Sequence, residues 1–221
     1  MTTICPTITA AEQHSYRSQV EQIEPFAVRW HIDVADGDLA PRQLIELDKL
    51  WWPGNVQVDL HVMYRNPADH IELFIVQHPR LIVIHAEAEG DFIEWSSTLR
   101  RHGIEVGVAL LPETPVSLIA QAIDLIDHVL IFSGNLGYQG GSQADLGLLD
   151  KARELRELKP TLEIGWDGGV NDENVAALAA GGIDVLNVGG FIHGAHNPAA
   201  AYERLVSLTR GSANATATEA R

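Results

Sequence analysis

Cysteine is nearly absent. Cys5 is the only one in 221 residues, so no intrachain disulfide can form and there is no CxxC or Cys/His cluster of the zinc-finger kind. A packing thiol is the plain reading. Cations are scarce too: Lys and Arg number 15 against 30 Asp and Glu, a formal charge of −15. The basic footprint of a nucleic-acid binder, or of a protein held on an anionic membrane, is therefore missing. An anionic small molecule remains admissible, because backbone N–H groups at helix starts bind phosphate whatever the global charge. No run approaches about 18 uninterrupted apolar residues, and MTTICPTITAAEQHSYRSQV has no basic start followed by an apolar stretch, so a cytoplasmic location is the expectation. No linker divides the sequence. With 46% hydrophobic residues, one domain over 1–210 is expected, followed by a flexible C-terminal tail, 211–221, whose Asn214 sequon means little without a secretion signal.

What is present is an alternation. Short apolar runs rich in β-branched residues (TTICPTI, FAVRWHID, NVQVDLHVM, RLIVIHA, IEVGVALL, HVLIFS, LEIGW and DVLNVGG) are separated by amphipathic stretches such as PADHIELFIVQH, DFIEWSSTLRRH and LGLLDKARELRELK. The last of these carries an apolar stripe at Leu146, Leu149, Ala152, Leu155 and Leu158. Polar residues before proline at Asn66-Pro67, Thr114-Pro115 and Asn197-Pro198 are helix starts. Eight βα units predict an α/β fold of the (β/α)8 TIM-barrel class in a single domain; an open doubly wound sheet is the competitor. A barrel makes a specific demand: chemistry collects where strands end.

The polar residues obey it. His31 and Asp33 end the second strand, His61 the third, His85 and Glu87 the fourth, and Asp167 the seventh. Residues two apart on a strand share a face, so His31 and Asp33 point together, and barrel closure brings His61 and Asp167 towards them. Two imidazoles and two carboxylates converging on one point suit a divalent cation such as zinc, iron, manganese or cobalt. That accounts for Asp33 in WHIDVADGDLAP, where a buried carboxylate needs compensation, and leaves Asp36 and Asp38 to orient the loop or face solvent. The last three loops are glycine-rich. Gly168 and Gly169 after the seventh strand and Gly189 and Gly190 after the eighth are phosphate candidates, with Gly140, Gly141 and Ser142 covering the site.

These motifs, in this order, resemble the ribulose-phosphate 3-epimerase family from about residue 4 to residue 206. HIDVADG is similar to that family's His-x-Asp-Val-Met-Asp-Gly, DLHVM to its Asp-Val-His-Leu-Met, and NLGYQGG to its Asn-Pro-Gly-Phe-Gly-Gly-Gln, while DGG and GGFIHGAHNPAAA match its last two loops. The resemblance implies that His31, Asp33, His61 and Asp167 are metal ligands and that Asp33 and Asp167 are also the two acid/base carboxylates. It implies inversion at C3 of a ketose phosphate, with ribulose 5-phosphate and xylulose 5-phosphate as the reference pair, through an ene-diolate. Thr7 and Met63 join the substrate-binding set. The implied partner is a sugar phosphate, with neither nucleic acid nor membrane, and with self-assembly into a homo-oligomer left open.

The sequence also departs from the family. PSILSAD reads PTITAAE, so Thr7 stands for a substrate-contacting serine and Thr9 for a leucine. Ala35 replaces a methionine, which predicts a wider pocket; Asp38 replaces a histidine and Leu136 a proline. Two rival enzymes follow: an epimerase of another ketose phosphate, such as a hexulose 6-phosphate, and a decarboxylase of the keto-gulonate-phosphate type. The latter needs a lysine where this chain has Ala35. A non-catalytic sugar-phosphate binder is the third alternative.

Overall fold

Each of the eight apolar runs forms a strand. In the computed structural model, which describes residues 2–219 and side chains as far as residue 210, the strands are β1 (Thr3–Ile8), β2 (Arg29–Ala35), β3 (Gln57–Met63), β4 (Leu81–His85), β5 (Glu105–Leu110), β6 (His128–Phe132), β7 (Glu163–Asp167) and β8 (Val185–Val188). All pair in parallel and in sequence order, and β1 pairs β8 to close the barrel. The (β/α)8 expectation holds and the open sheet is excluded. The expected tail over 211–221 lies outside the residues whose side chains are described.

The helices are α1 (Gln13–Ile23), α2 (Ile71–Gln77), α3 (Phe92–Arg101), α4 (Leu149–Leu158), α5 (Val175–Ala180), α6 (Gly190–His193) and α7 (Pro198–Glu219). Two connections lack an α-helix. Between β2 and β3 there is only the 3-10 turn Leu47–Lys49, and between β5 and β6 only Val116–Leu118 and Ala120–Leu125. Pro41 and Pro53 flank the first segment, and Pro112 and Pro115 lie at the start of the second. The helix start expected at Thr114-Pro115 is a 3-10 turn, and the Thr114 hydroxyl bonds Glu87 instead of capping it. At Asn197-Pro198 the expectation holds, with Ala200 N donating to Asn197 Oδ1 at 3.0 Å. The stripe expected on α4 is narrower than its spacing suggested. Ala152 and Leu155 are buried, whereas Leu146 and Leu158 are 42% and 44% exposed, at the ends of the segment where it leaves the barrel wall.

The barrel interior is layered. At the strand starts, Arg29 Nη1 and Nη2 donate to Glu163 Oε1 and Oε2 at 2.9 and 2.8 Å, Arg29 Nε donates to Asp59 at 2.7 Å, Arg80 Nη1 donates to Asp59 at 2.8 Å, and His128 Nδ1 lies 2.8 Å from Glu163. Burial alone would raise the Glu163 carboxyl, but His128 and Arg29 outweigh it and hold it well below the usual range. Above this plug sit Leu81, Val83, Ala109 and Leu130. The opposite end is left for the functional residues, so the site stands on a floor fixed by charge pairs and packed side chains.

Candidate active site

His31 and Asp33 both point into the barrel, as the period-two rule requires, and Asp33 pairs in register with His61 on the neighbouring strand. Asp167, at the end of β7, reaches across from the far wall. One ligand atom from each of His31, Asp33, His61 and Asp167 lies within 4.8 Å of the others. His61 Nδ1 is 2.8 Å from Asp33 Oδ1, and His31 Nε2 is 3.3 Å from the same oxygen and 3.6 Å from Asp167 Oδ2. All four residues expected from the sequence are brought together.

His85 and Glu87 stand behind them. His61 Nε2 is 2.8 Å from His85 Nε2, and His85 Nδ1 is 3.3 Å from Glu87 Oε2; Glu87 Oε1 in turn accepts from Leu111 N and the Thr114 hydroxyl. Burial would raise Glu87, but His85 and Thr114 pull it down, so it is an ionised, acceptor-only group. The tautomers follow. His85 carries its proton on Nδ1, its Nε2 accepts from His61 Nε2–H, and the bare Nδ1 of His61 faces the Asp33 oxygen. Two lone pairs opposed at 2.8 Å need a positive charge between them. Burial pushes His61 down to about 4 against the pull of Asp33, so a proton is a poor candidate at neutral pH. His31 Nε2, buried and without a hydrogen bond, is aimed at the same point. Two imidazole nitrogens of borderline hardness with two hard carboxylate oxygens fit a divalent transition metal.

The two carboxylates differ in environment. Burial would raise Asp33, yet His31 and His61 outweigh it and hold it well below the ordinary range. Asp167 is pushed up to about 7, first by burial and then by the Asp33 charge, against the attraction of His31. Burial and neighbouring charge thus shift the two carboxyls in opposite directions, Asp33 down and Asp167 up.

Above the four residues opens a cavity of about 430 Å³. The sequence-expected Thr7, Met63, Gly140, Gly141, Ser142, Gly168, Gly169, Gly189 and Gly190 all line it. Backbones approach closely there: a Cβ on Gly168 would lie 2.3 Å from Gly134 N, and one on Gly169 2.1 Å from Ala144 N. Glycine is required at both positions for packing as well as for φ values of +116° and +70°. A Cβ on Gly190 would lie 3.0 Å from the Gly140 Cα, so the β6 and β8 loops touch through their main chains. Asp36 orients its loop, accepting from Asp38 N, Leu39 N and Arg65 N, while Asp38 is exposed. Ala35 is not among the cavity's lining residues; it is buried against Ala40, Leu44 and the lining Met63, with Leu136 packed on them.

Sequence reasoning missed several residues. Asn187 faces Asp167 across the β7–β8 ladder, and its Oδ1 is buried without a partner, as is Thr7 Oγ1. A lone polar residue inside the apolar run DVLNVGG was the available signal. Gln19 clamps both backbone groups of Thr9, and Gln139 Nε2 donates to Gln19 and to Thr7 O at 3.1 and 3.0 Å, tying the β6 loop to the β1 end. Nothing in the sequence marked those two glutamines.

The sequence model of the ribulose-phosphate 3 epimerase family matches residues 3–193. The ribulose-phosphate 3-epimerase of Helicobacter pylori strain J99 is 30% identical over 196 residues, covering 86% of this chain and 89% of that one. The ribulose-phosphate 3-epimerase of Bacillus subtilis is 28% identical over 221 residues, covering 96% and 100%. Among solved structures, a 3-hexulose-6-phosphate synthase superposes with a TM-score of 0.71 at 18% identity, covering 94% of this chain and 99% of that one, a likeness of fold.

Proposed function

The chain belongs to the ribulose-phosphate 3-epimerase family, isomerases of carbohydrate phosphates, and from that premise we propose that it inverts C3 of a ketose phosphate by proton transfer between Asp33 and Asp167. Ribulose 5-phosphate and xylulose 5-phosphate are the first pair to test, which would place the reaction in pentose phosphate metabolism. The observation that carries the reading is the pair of carboxylates, Asp33 from β2 and Asp167 from β7, brought to one point where four ligand atoms converge.

The chemical problem is a weakly acidic C–H beside a carbonyl. Asp33, ionised and buried, takes the C3 proton; the bond's electron pair moves into the ene-diolate; Asp167 delivers a proton to the opposite face. In the reverse direction the two exchange roles. His31, Asp33, His61 and Asp167 would hold the cation, with His85 and Glu87 fixing the His61 tautomer. When bound, a divalent cation supplies the positive charge that offsets the anionic oxygens of the ene-diolate. The glycine loops offer backbone amides to the phosphate, and binding energy gained there orients C3 between the carboxylates. Thr7 Oγ1 and Asn187 Oδ1, buried and unpaired, are free to meet sugar hydroxyls.

The test is a panel of pentulose 5-phosphates and hexulose 6-phosphates incubated in D2O with protein loaded separately with zinc, iron, manganese and cobalt. Metal-dependent entry of deuterium at C3 of one ketose phosphate is expected. Tight binding of a sugar phosphate with no exchange under any metal would make the protein a binder and refute the proposal.

A further inference from the structure

Thr9 does something that a leucine at its position could not. Its hydroxyl donates to Asp33 Oδ2 at 2.6 Å, while the other oxygen of the same carboxylate, Oδ1, faces His61 Nδ1 at 2.8 Å and His31 Nε2 at 3.3 Å. The two oxygens of Asp33 are therefore committed to different neighbours. Oδ1 belongs to the cation-holding cluster, and Oδ2 is bonded to Thr9, which lines the cavity together with Asp33.

The hydroxyl is held in place from behind. Gln19 on α1 accepts from Thr9 N and donates to Thr9 O, each at 3.1 Å, and Gln139 from the β6 loop donates to Gln19 Oε1 at 3.1 Å. Thr9 thus has a fixed backbone and a β-branched side chain with few accessible rotamers. Asp167 has no comparable donor: among the described residues no side-chain hydroxyl bonds it, and its polar neighbours are the imidazoles of His31 and His61.

We infer that Thr9 is a positioning residue that fixes Asp33 Oδ2 as the proton-transfer oxygen, and that it serves one face of the substrate only. The inference rests on the epimerase reading above. The carboxylate accepts the Thr9 hydrogen bond through one lone pair of Oδ2 and takes the C3 proton through the other. The threonine keeps its own proton throughout, and the C–H electron pair passes into the ene-diolate. Without the hydroxyl, the Asp33 carboxylate can rotate about its Cβ–Cγ bond, and the transfer at that face loses its geometry. Proton transfer at the Asp167 face does not depend on it.

Thr9→Val keeps the shape and removes the donor; Thr9→Ser keeps the donor. Each variant, with bound metal quantified, is incubated in D2O separately with each of the two C3 epimers, and loss of the C3 proton is followed by NMR alongside net epimerisation. In a two-carboxylate enzyme each epimer gives up its C3 proton to a different carboxylate. For Thr9→Val, net epimerisation and wash-out from one epimer should fall about ten- to a hundredfold, the worth of one hydrogen bond to a charged group. Wash-out from the other epimer and the metal content should stay within about threefold of wild type, and Thr9→Ser should return both rates to that range. Equal loss from both epimers, loss of metal, or no change in Thr9→Val would overturn the inference while leaving the epimerase reading in place. A wild-type protein that exchanges neither epimer of any ketose phosphate would remove both.

Discussion

Asp167→Asn separates what the fold wants from what the reaction needs. The Asp167 side chain is only 14% exposed, lies 3.6 Å from His31 Nε2, and is pushed up to about 7 from an ordinary 3.8 by burial and by the charge of Asp33. A carboxyl whose folded-state affinity for a proton exceeds its unfolded one favours folding most at low pH. That contribution is lost as pH rises from the ordinary carboxyl range through about 7. For removal of one buried carboxylate repelled by a neighbouring charge, about 2 kcal/mol is the scale to expect. In protein stripped of metal, Asp167→Asn should therefore melt roughly 4–8 °C above wild type at pH 7.5, and the gap should close towards pH 4. The same variant should lose a factor of about 10² to 10⁴ in epimerisation, the usual worth of a placed acid/base group. Calorimetry across pH, with and without added metal, and a coupled epimerase assay measure both. A variant that melts below wild type at pH 7.5 without metal, or that turns over within threefold of wild type, would refute the reasoning.

Three further outcomes are expected. Gly190→Leu should raise KM for a phosphorylated ketose by about tenfold or more with kcat less affected, because its side chain would meet the Gly140 main chain at 3.0 Å and lift the β6 loop; an unchanged KM rejects phosphate binding at that loop. Glu163→Gln removes a charge shared by Arg29, Arg80 and His128 and should cost about 3 kcal/mol of stability, read as a fall of roughly 6–12 °C in Tm, with kcat retained below the transition; a lost kcat in folded protein would mean the plug communicates with the site. His85→Leu removes the acceptor that orients His61 and should weaken divalent-metal affinity about 10- to 100-fold, measured by competition with a chelator; unaltered affinity would discard the tautomer argument.

The sequence made the barrel legible because its strands are buried on both faces and read as continuous apolar runs, so each is found within a few residues of its true ends. His31, Asp33, His61 and Asp167 were legible for a different reason: strand ends on one rim of a closed barrel must converge. What the sequence hid were relations between loops. Thr9 was visible as a departure from leucine, but its bond to Asp33 depends on the Gln19 clamp, whose partners lie 10 and 120 residues away. Ala35 was visible as a smaller residue, but its packing against Ala40, Leu44 and the cavity-lining Met63 was not. Glycine spacing pointed to phosphate, and the structure adds a second cause for the same residues, since Gly168 and Gly169 leave no room for a Cβ.

The measurement closest to the central claim is the fate of the C3 hydrogen when ribulose 5-phosphate is converted in D2O by metal-loaded protein. Transfer between two opposed carboxylates predicts one solvent deuteron at C3 of every product molecule, with epimerisation by Asp33→Asn and by Asp167→Asn each falling by a factor of about 10² or more. Product that retains its original C3 hydrogen, or inversion within threefold of the wild-type rate in either variant, would contradict it.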